Sequence, residues 1–223
     1  MELHNTQCSV NPHFCPLHNT GKSLKNREEY TGVREKPIIK MNKQLKNPVT
    51  KWDHIIGTKT ALLQLLEYGD YQCPSCSESH LVIKEILKQM GENVAFVFRN
   101  FPLTDIHLDA FDAALAAEAA ALQNKFWEMH DLLYQNQANL RGHELFYYAR
   151  QIGLDMNRFE QDIQRQALFS KIEADMEGGL KSGVTGTPTF YINGEKYERE
   201  WESNGLADTL KTLLEGKSLI IGN

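Results

Sequence analysis

Cys73-Pro74-Ser75-Cys76 is the segment whose residue types and spacing are best suited to chemistry. Two cysteines three positions apart fall within one helical turn, where they can close a disulfide and reopen it. Pro74 suits the first position of a helix, because it lacks only an N–H that would be unpaired there. Cys73 then stands at the helix start, where free backbone N–H groups and the helix dipole favour negative charge. That lowers the thiol pKa and makes Cys73 the expected nucleophile near neutral pH. Cys76 is the expected resolving thiol, which attacks a mixed disulfide on Cys73 and releases the partner.

The flanking elements agree with that placement. Ala61–Tyr68 is an apolar run of the length of a buried strand, and Ile83, Ile86, Leu87 and Met90 recur at helical spacing before Gly91. The dithiol is therefore expected at a strand-to-helix turn. The same C-x-x-C spacing also forms half of many zinc sites. Zinc needs two further ligands, and the body of the chain has no second C-x-x-C and no H-x-x-x-H.

Composition bounds the class. The 223 residues, 41% of them hydrophobic, suffice for one domain with a core. No run approaches the roughly 18 apolar residues of a membrane span. The first thirty residues show no apolar leader, so a cytosolic protein is expected, a setting in which a lone C-x-x-C is catalytic more often than structural. The formal charge is −5, divided into +4 over residues 1–47 and −9 over the remainder. A mildly acidic body argues against nucleic acid as the main partner.

Residues 1–47 read as a separate polar tail, rich in Asn and Lys and without a sustained period, with the compact domain over 48–223. Within it the expected order is a strand over Ala61–Tyr68, a helix over Ser75–Met90 and a strand over Asn93–Asn100. Helices follow over Asp109–Gln123 (with eight alanines and Phe111, Leu115 and Leu122 on one face), Phe126–Asn136, Glu144–Ile152 and Asn157–Gln164, the last capped by Asp155. A longer helix runs through Leu168, Ile172 and Met176. Thr189–Ile192, the turn Asn193-Gly194 and Glu195–Tyr197 read as a hairpin, and Gly205–Glu215 as a last helix. Strand–helix–strand, a helical block over about 103–182, then a hairpin and a helix make an α/β core with an inserted helical block.

The second informative stretch is Gly183-Val184-Thr185-Gly186-Thr187-Pro188-Thr189-Phe190. A proline at the start of a strand cannot donate to the ladder and marks a special backbone position. Together with Leu65-Leu66-Glu67-Tyr68-Gly69-Asp70-Tyr71-Gln72-Cys73-Pro74-Ser75-Cys76, Phe98-Arg99-Asn100-Phe101-Pro102-Leu103, Ala116-Ala117-Glu118-Ala119-Ala120 and Phe126-Trp127, it makes residues 50–216 resemble the thioredoxin superfamily, in particular its DsbA-like branch. That resemblance implies a thioredoxin fold whose helical domain is inserted between the second strand and the cis-proline hairpin. It implies Cys73 as attacking thiol, Cys76 as resolving thiol, Pro188 as a cis-proline facing them and Thr187 as the substrate-binding residue before it. Glu67 falls where the family keeps a buried acid beneath the dithiol, placed to shuttle the Cys76 proton; its plain alternative is an edge-strand carboxylate facing water. Oxidising members carry His between the cysteines and reducing ones Gly-Pro. Pro-Ser here leaves the direction of electron flow open.

The expected function is thiol–disulfide oxidoreduction on protein or small thiol substrates, with glutathione or a recycling reductase as a further partner and no organic cofactor. Thr187, Pro188, Tyr71, Pro74 and Ser75 are the candidate substrate-contacting residues. The rival readings are a glutathione-dependent transferase or isomerase on the same fold, and a zinc- and peptide-binding module. His107 and His130 read as packing or capping residues, and Trp127 and Tyr134 as core. In the tail, Cys8, Cys15, His13 and His18, with His4 nearby, hold enough donors for a tetrahedral metal site; a tail disulfide, a thiol relay or no role at all are the alternatives, the last being the leading one.

Overall fold

Every residue of β3 (Val94–Asn100) is buried, as a strand covered on both faces must be. It runs parallel to β2 (Leu63–Gly69), from Leu63 opposite Val94 to Gly69 opposite Asn100. A parallel pair needs a crossover, and α1 (Pro74–Met90) supplies it. β4 (Thr189–Ile192) pairs antiparallel with the other edge of β2, and β5 (Glu195–Lys196) closes the hairpin through Asn193-Gly194. β1 (His54–Ile56) pairs antiparallel with β3, giving the order β1-β3-β2-β4-β5. These coordinates are a computed structural model that describes residues 44–58 and 60–221, with side chains to residue 216. The tail candidates Cys8, His13, Cys15 and His18 lie outside the described residues.

Between β3 and β4 stands the inserted helical block: α2 (Ala110–Ala121), α3 (Phe126–Gln135), α4 (Gly142–Gln151), α5 (Met156–Asp162) and α6 (Gln166–Ser182). α7 (Gly205–Ile221) follows the hairpin. Asp155 caps α5 as expected, its carboxylate accepting the Arg158 N–H at 3.1 Å. α2 departs from expectation. Its buried surface is made by alanines 110, 113, 114, 116, 117, 119 and 120 together with Leu115 and Glu118, while Phe111 is half-buried and Leu122 exposed. Small side chains let neighbouring helices approach α2 on most of its circumference, so no single large-residue stripe is needed.

The two faces of β2 carry two cores. Leu63 and Leu65 pack with Phe96, Phe98 and the helices of the α1 side; Leu66 and Tyr68 pack with Val97, Phe101, Val184 and Tyr191 on the other. Alternation therefore places Glu67 and Gly69 on the α1 side. On the opposite side α6 comes so close that a Cβ on Gly179 would lie 2.8 Å from the Phe101 ring.

Two elements differ from the sequence reading. β1 was not expected. Residues 44–47, assigned to the tail, are joined to the domain: Gln44 bridges Glu195, the Leu45 N–H donates to Gly194 O at 2.7 Å, and the Lys46 N–H donates to Ser182 Oγ at 3.0 Å. Arg99 explains both. Its guanidinium holds Asp53 just before β1 through two bonds of 2.7 and 3.1 Å and donates to the carbonyls of Asn47 and Pro48 at 2.8 and 3.1 Å.

Candidate active site

β2 ends at Gly69 and α1 begins at Pro74, so Asp70–Cys73 form the turn that presents the dithiol. Cys73 is the N-cap of α1 with extended backbone (φ −72°, ψ 119°), and Pro74 occupies the first turn. Pro74 is exposed and Ser75 half-buried beside it. Both cysteines are free thiols. The Cys73 thiol donates to the Thr187 carbonyl at 3.2 Å, across the loop that carries the cis Thr187–Pro188 bond. Sequence reasoning placed these residues together, and the structure does so. A hydrogen bond from the Cys76 thiol, and then bonds from Thr187 and the Cys76 amide, hold the Cys73 pKa down at about 5 against burial and the Asp70 charge. In the dithiol form the Thr187 hydroxyl is buried without a partner among the described residues; it is free to donate once Cys73 ionises.

Cys76, one turn on, is in a different environment. It is 0% exposed. Burial, its hydrogen bond to Cys73 and the Glu67 charge push its thiol well above the ordinary range. Glu67 is also buried, at 2% exposure, on the central strand rather than at an edge, so the water-facing alternative does not apply. The Ser79 hydroxyl donates to its carboxylate at 2.9 Å. Burial raises the Glu67 pKa to about 8, with the Cys73 charge adding to the effect and the Ser79 bond opposing it. A carboxyl with a pKa near neutral is suited to moving protons.

Residues that the sequence reading did not single out hold this turn in place. Asp70, buried at the end of β2, accepts the Gln72 N–H at 2.7 Å on one carboxylate oxygen. On the other it accepts the Leu103 N–H at 2.7 Å and pairs with His107 Nδ1 at 2.8 Å. Gln72 and Asp109 bond reciprocally at 2.6 and 3.0 Å, and Gln137 Nε2 donates to the carbonyls of Tyr71 and Cys73 at 2.9 and 2.7 Å. The inserted block thus grips the dithiol turn. Asx chemistry at Asp70 had a local signal in the Asp-x-Gln spacing; the contacts from Asp109 and Gln137 span 37 residues or more and left none.

Tyr71 corrects an expectation. Proposed as a groove-lining residue, it is 1% exposed, and its hydroxyl meets His130 Nδ1 at 3.1 Å. The turn after β2 points this side chain inward, among Phe98, Tyr134 and His130. His130 and Tyr134 are core residues as expected, and burial holds the His130 pKa well below its ordinary value.

A family profile described as thioredoxin matches residues 49–212, most of the chain and all of the site. The chain belongs to the thioredoxin family. Among solved structures, this thioredoxin-family protein is similar to BdbD from Bacillus subtilis (22% identity, TM-score 0.67, covering 78% of this chain and 98% of that one). It is likewise similar to alpha-DsbA1 from Wolbachia pipientis (20%, TM-score 0.67, 78% and 96%). A thioredoxin-like oxidoreductase from Silicibacter pomeroyi gives 24%, a TM-score of 0.63, and coverage of 73% and 92%. These likenesses establish the DsbA-like fold, helical insertion included. By sequence it is 38% identical over 167 residues to a Na(+)/H(+) antiporter NhaA 1 from Salinispora arenicola, covering 75% of this chain and 26% of that protein. The thioredoxin-family chain thus spans about a quarter of the length of that relative. No helix among the described residues is long and apolar enough to cross a membrane.

Proposed function

We propose that the protein is a thiol–disulfide oxidoreductase exchanging disulfides with cysteine-bearing proteins or small thiols through Cys73 and Cys76. The observation that carries this reading is the asymmetry of the two thiols. One has its pKa held down at about 5, chiefly by a hydrogen bond from its partner thiol, and the other is buried above a protonatable acid. Cys73 thiolate attacks a substrate disulfide, forming a Cys73–substrate bond as one substrate thiolate leaves. With the Cys73 charge removed by the mixed disulfide, the ionised form of Glu67 takes the proton of Cys76, whose thiolate attacks Cys73; the Cys73–Cys76 bond forms, and the second substrate thiolate departs. Run backwards, the same steps reduce a substrate. Thr187 beside Cys73, with Pro74 and Ser75, offers the surface for the incoming chain.

A thiolate stabilised this far stabilises the dithiol form. We therefore place the reduction potential between the about −270 mV of thioredoxin and the about −120 mV of DsbA. A value at the reducing end suits the cytosol expected from the sequence, and one at the oxidising end an oxidising compartment. A glutathione transferase has no task for a second, buried thiol over an acid. Among the described residues no group of three or more His, Cys, Asp or Glu could hold a metal, so none there joins the two thiols in a zinc site.

The test is trapping. Cys76→Ser mixed with a disulfide-bonded peptide should accumulate a peptide adduct on Cys73, and Cys73→Ser should form none and lose all turnover. An adduct on Cys76, or turnover in Cys73→Ser, would contradict the assignment.

A further inference from the structure

Tyr134 is contributed to the site by α3 of the inserted block. It is 3% exposed, and its hydroxyl has no hydrogen-bond partner among the described residues. A buried hydroxyl left unpaired is uncommon and costly, and each one asks for an explanation. Its ring is fixed by Tyr71 and His80, both at 5.0 Å between centroids. Its oxygen ends 3.0 Å from where a Cβ on Gly69 would stand, beside the Phe98 ring that comes closer still. Gly69 and Glu67 are two apart on β2 and share the face that receives Cys76 and Ser79 from α1. The Cys76 sulfur takes a hydrogen bond from the backbone of Asp70, the residue after Gly69, so hydroxyl and thiol both lie at the end of β2 on the Glu67 side. The charges acting on the hydroxyl most strongly are those of Cys76 and then Glu67.

We propose that the Tyr134 hydroxyl is the hydrogen-bond donor, through one water, for the Cys76 thiolate formed during resolution of the mixed disulfide. This rests on the exchange mechanism above and assigns it a further group. No acceptor stands within direct reach of the hydroxyl among the described residues, so a water carries the bond, and a thiolate is a far stronger acceptor for it than a neutral thiol. The phenol keeps its proton throughout, since burial drives its own ionisation well above the ordinary tyrosine value. The Cys76 proton passes to Glu67, the Cys73–Cys76 bond forms, the Cys73–substrate bond breaks, and the O–H bond of Tyr134 stays intact.

Tyr134→Phe removes this hydroxyl and leaves the ring. Reduced protein is mixed with a disulfide-bonded peptide and quenched with acid, which times attack by Cys73 and resolution by Cys76 separately. In Tyr134→Phe, attack should proceed as in the unaltered protein. Resolution should slow about tenfold, the loss of one hydrogen bond to a charged group, with its pH profile displaced upward. Tyr71→Phe is the control, because that buried hydroxyl already has His130 as partner; its resolution rate should be unchanged. Resolution at the original rate with an unmoved pH profile, or equal slowing in both variants, would overturn the proposal. No mixed disulfide even in the unaltered protein would overturn the exchange reading, and this inference with it.

Discussion

Two buried carboxylates of this protein, Glu67 and Glu118, lie on the same side of the sheet and have opposite fates. Glu118 of α2 is surrounded by cations and donors: His54 Nε2 at 2.9 Å, Lys171 Nζ at 3.6 Å and Asn100 Nδ2 at 2.7 Å. Burial raises its pKa, but His54 and Lys171 more than offset this and bring it below the ordinary value. On the opposite face Asp53 is held down in the same way by Arg99. Glu67 has one neutral donor, Ser79, and the nearby thiols; burial prevails, and its carboxyl rises to about 8. Burial with a counter-charge makes a fixed ion pair that clamps β1 and the chain before it. Burial without one leaves a proton that can move, and it is found beneath the dithiol.

The contrast is sharpest in stability. Arg99→Met leaves the Asp53 carboxylate buried and uncompensated, and should lower unfolding free energy by about 3–5 kcal/mol in denaturant titration. Glu67→Gln removes a carboxyl whose ionisation opposes folding, so its stability should be little changed near pH 4.5 and should rise, not fall, relative to the unaltered protein at neutral pH. A larger loss in Glu67→Gln than in Arg99→Met would erase the distinction. In kinetics the order reverses. Glu67→Gln should slow resolution of the mixed disulfide about 100-fold while attack by Cys73 persists, and Arg99→Met should leave both steps intact in the fraction that is folded.

A smaller effect follows from pH. The folded protein binds the Glu67 proton more tightly than the unfolded chain does. The stability this contributes is fully present below the usual value of 4.5 and is lost as pH rises toward 8. Asp53 and Glu118 are depressed, so theirs is present above the ordinary carboxylate range and lost as pH falls through their folded values. Measured on the disulfide form, where neither thiol titrates, Glu67→Gln should flatten the decline in stability between about pH 4.5 and 8 and leave acid unfolding unchanged. An unaltered slope in that window would show that Glu67 is not held protonated.

How much of this was readable in the sequence depends on the range of the interactions involved. β2 and β3 were legible as apolar runs and α1 as apolar residues at helical spacing, and the dithiol lay between β2 and α1. The hairpin announced itself through Asn193-Gly194. Glu67 was found through its distance from Cys73 and the family resemblance, whereas its burial and raised pKa follow from β2 being a central strand. β1 was missed because His54-Ile55-Ile56 is too short to show a period, and Arg99 reaching Asp53 across 46 residues is what fixes its place. The same guanidinium reaches back to Asn47 and Pro48 and draws in residues that composition alone assigned to the tail. Tyr71 was misread because proximity to Cys73 along the chain suggested surface, while the turn after Gly69 directs that ring into the core. Gln137 left no trace, since its two bonds to the turn exist only once α3 has docked.

The most direct test of the central claim, that the two thiols divide the work, is alkylation of each cysteine followed by mass spectrometry across a pH series on the reduced protein. Cys73 should react with a midpoint near about 5, and Cys76 should stay unmodified until well above its usual value of 9. Two cysteines that titrate together in the ordinary thiol range would contradict it.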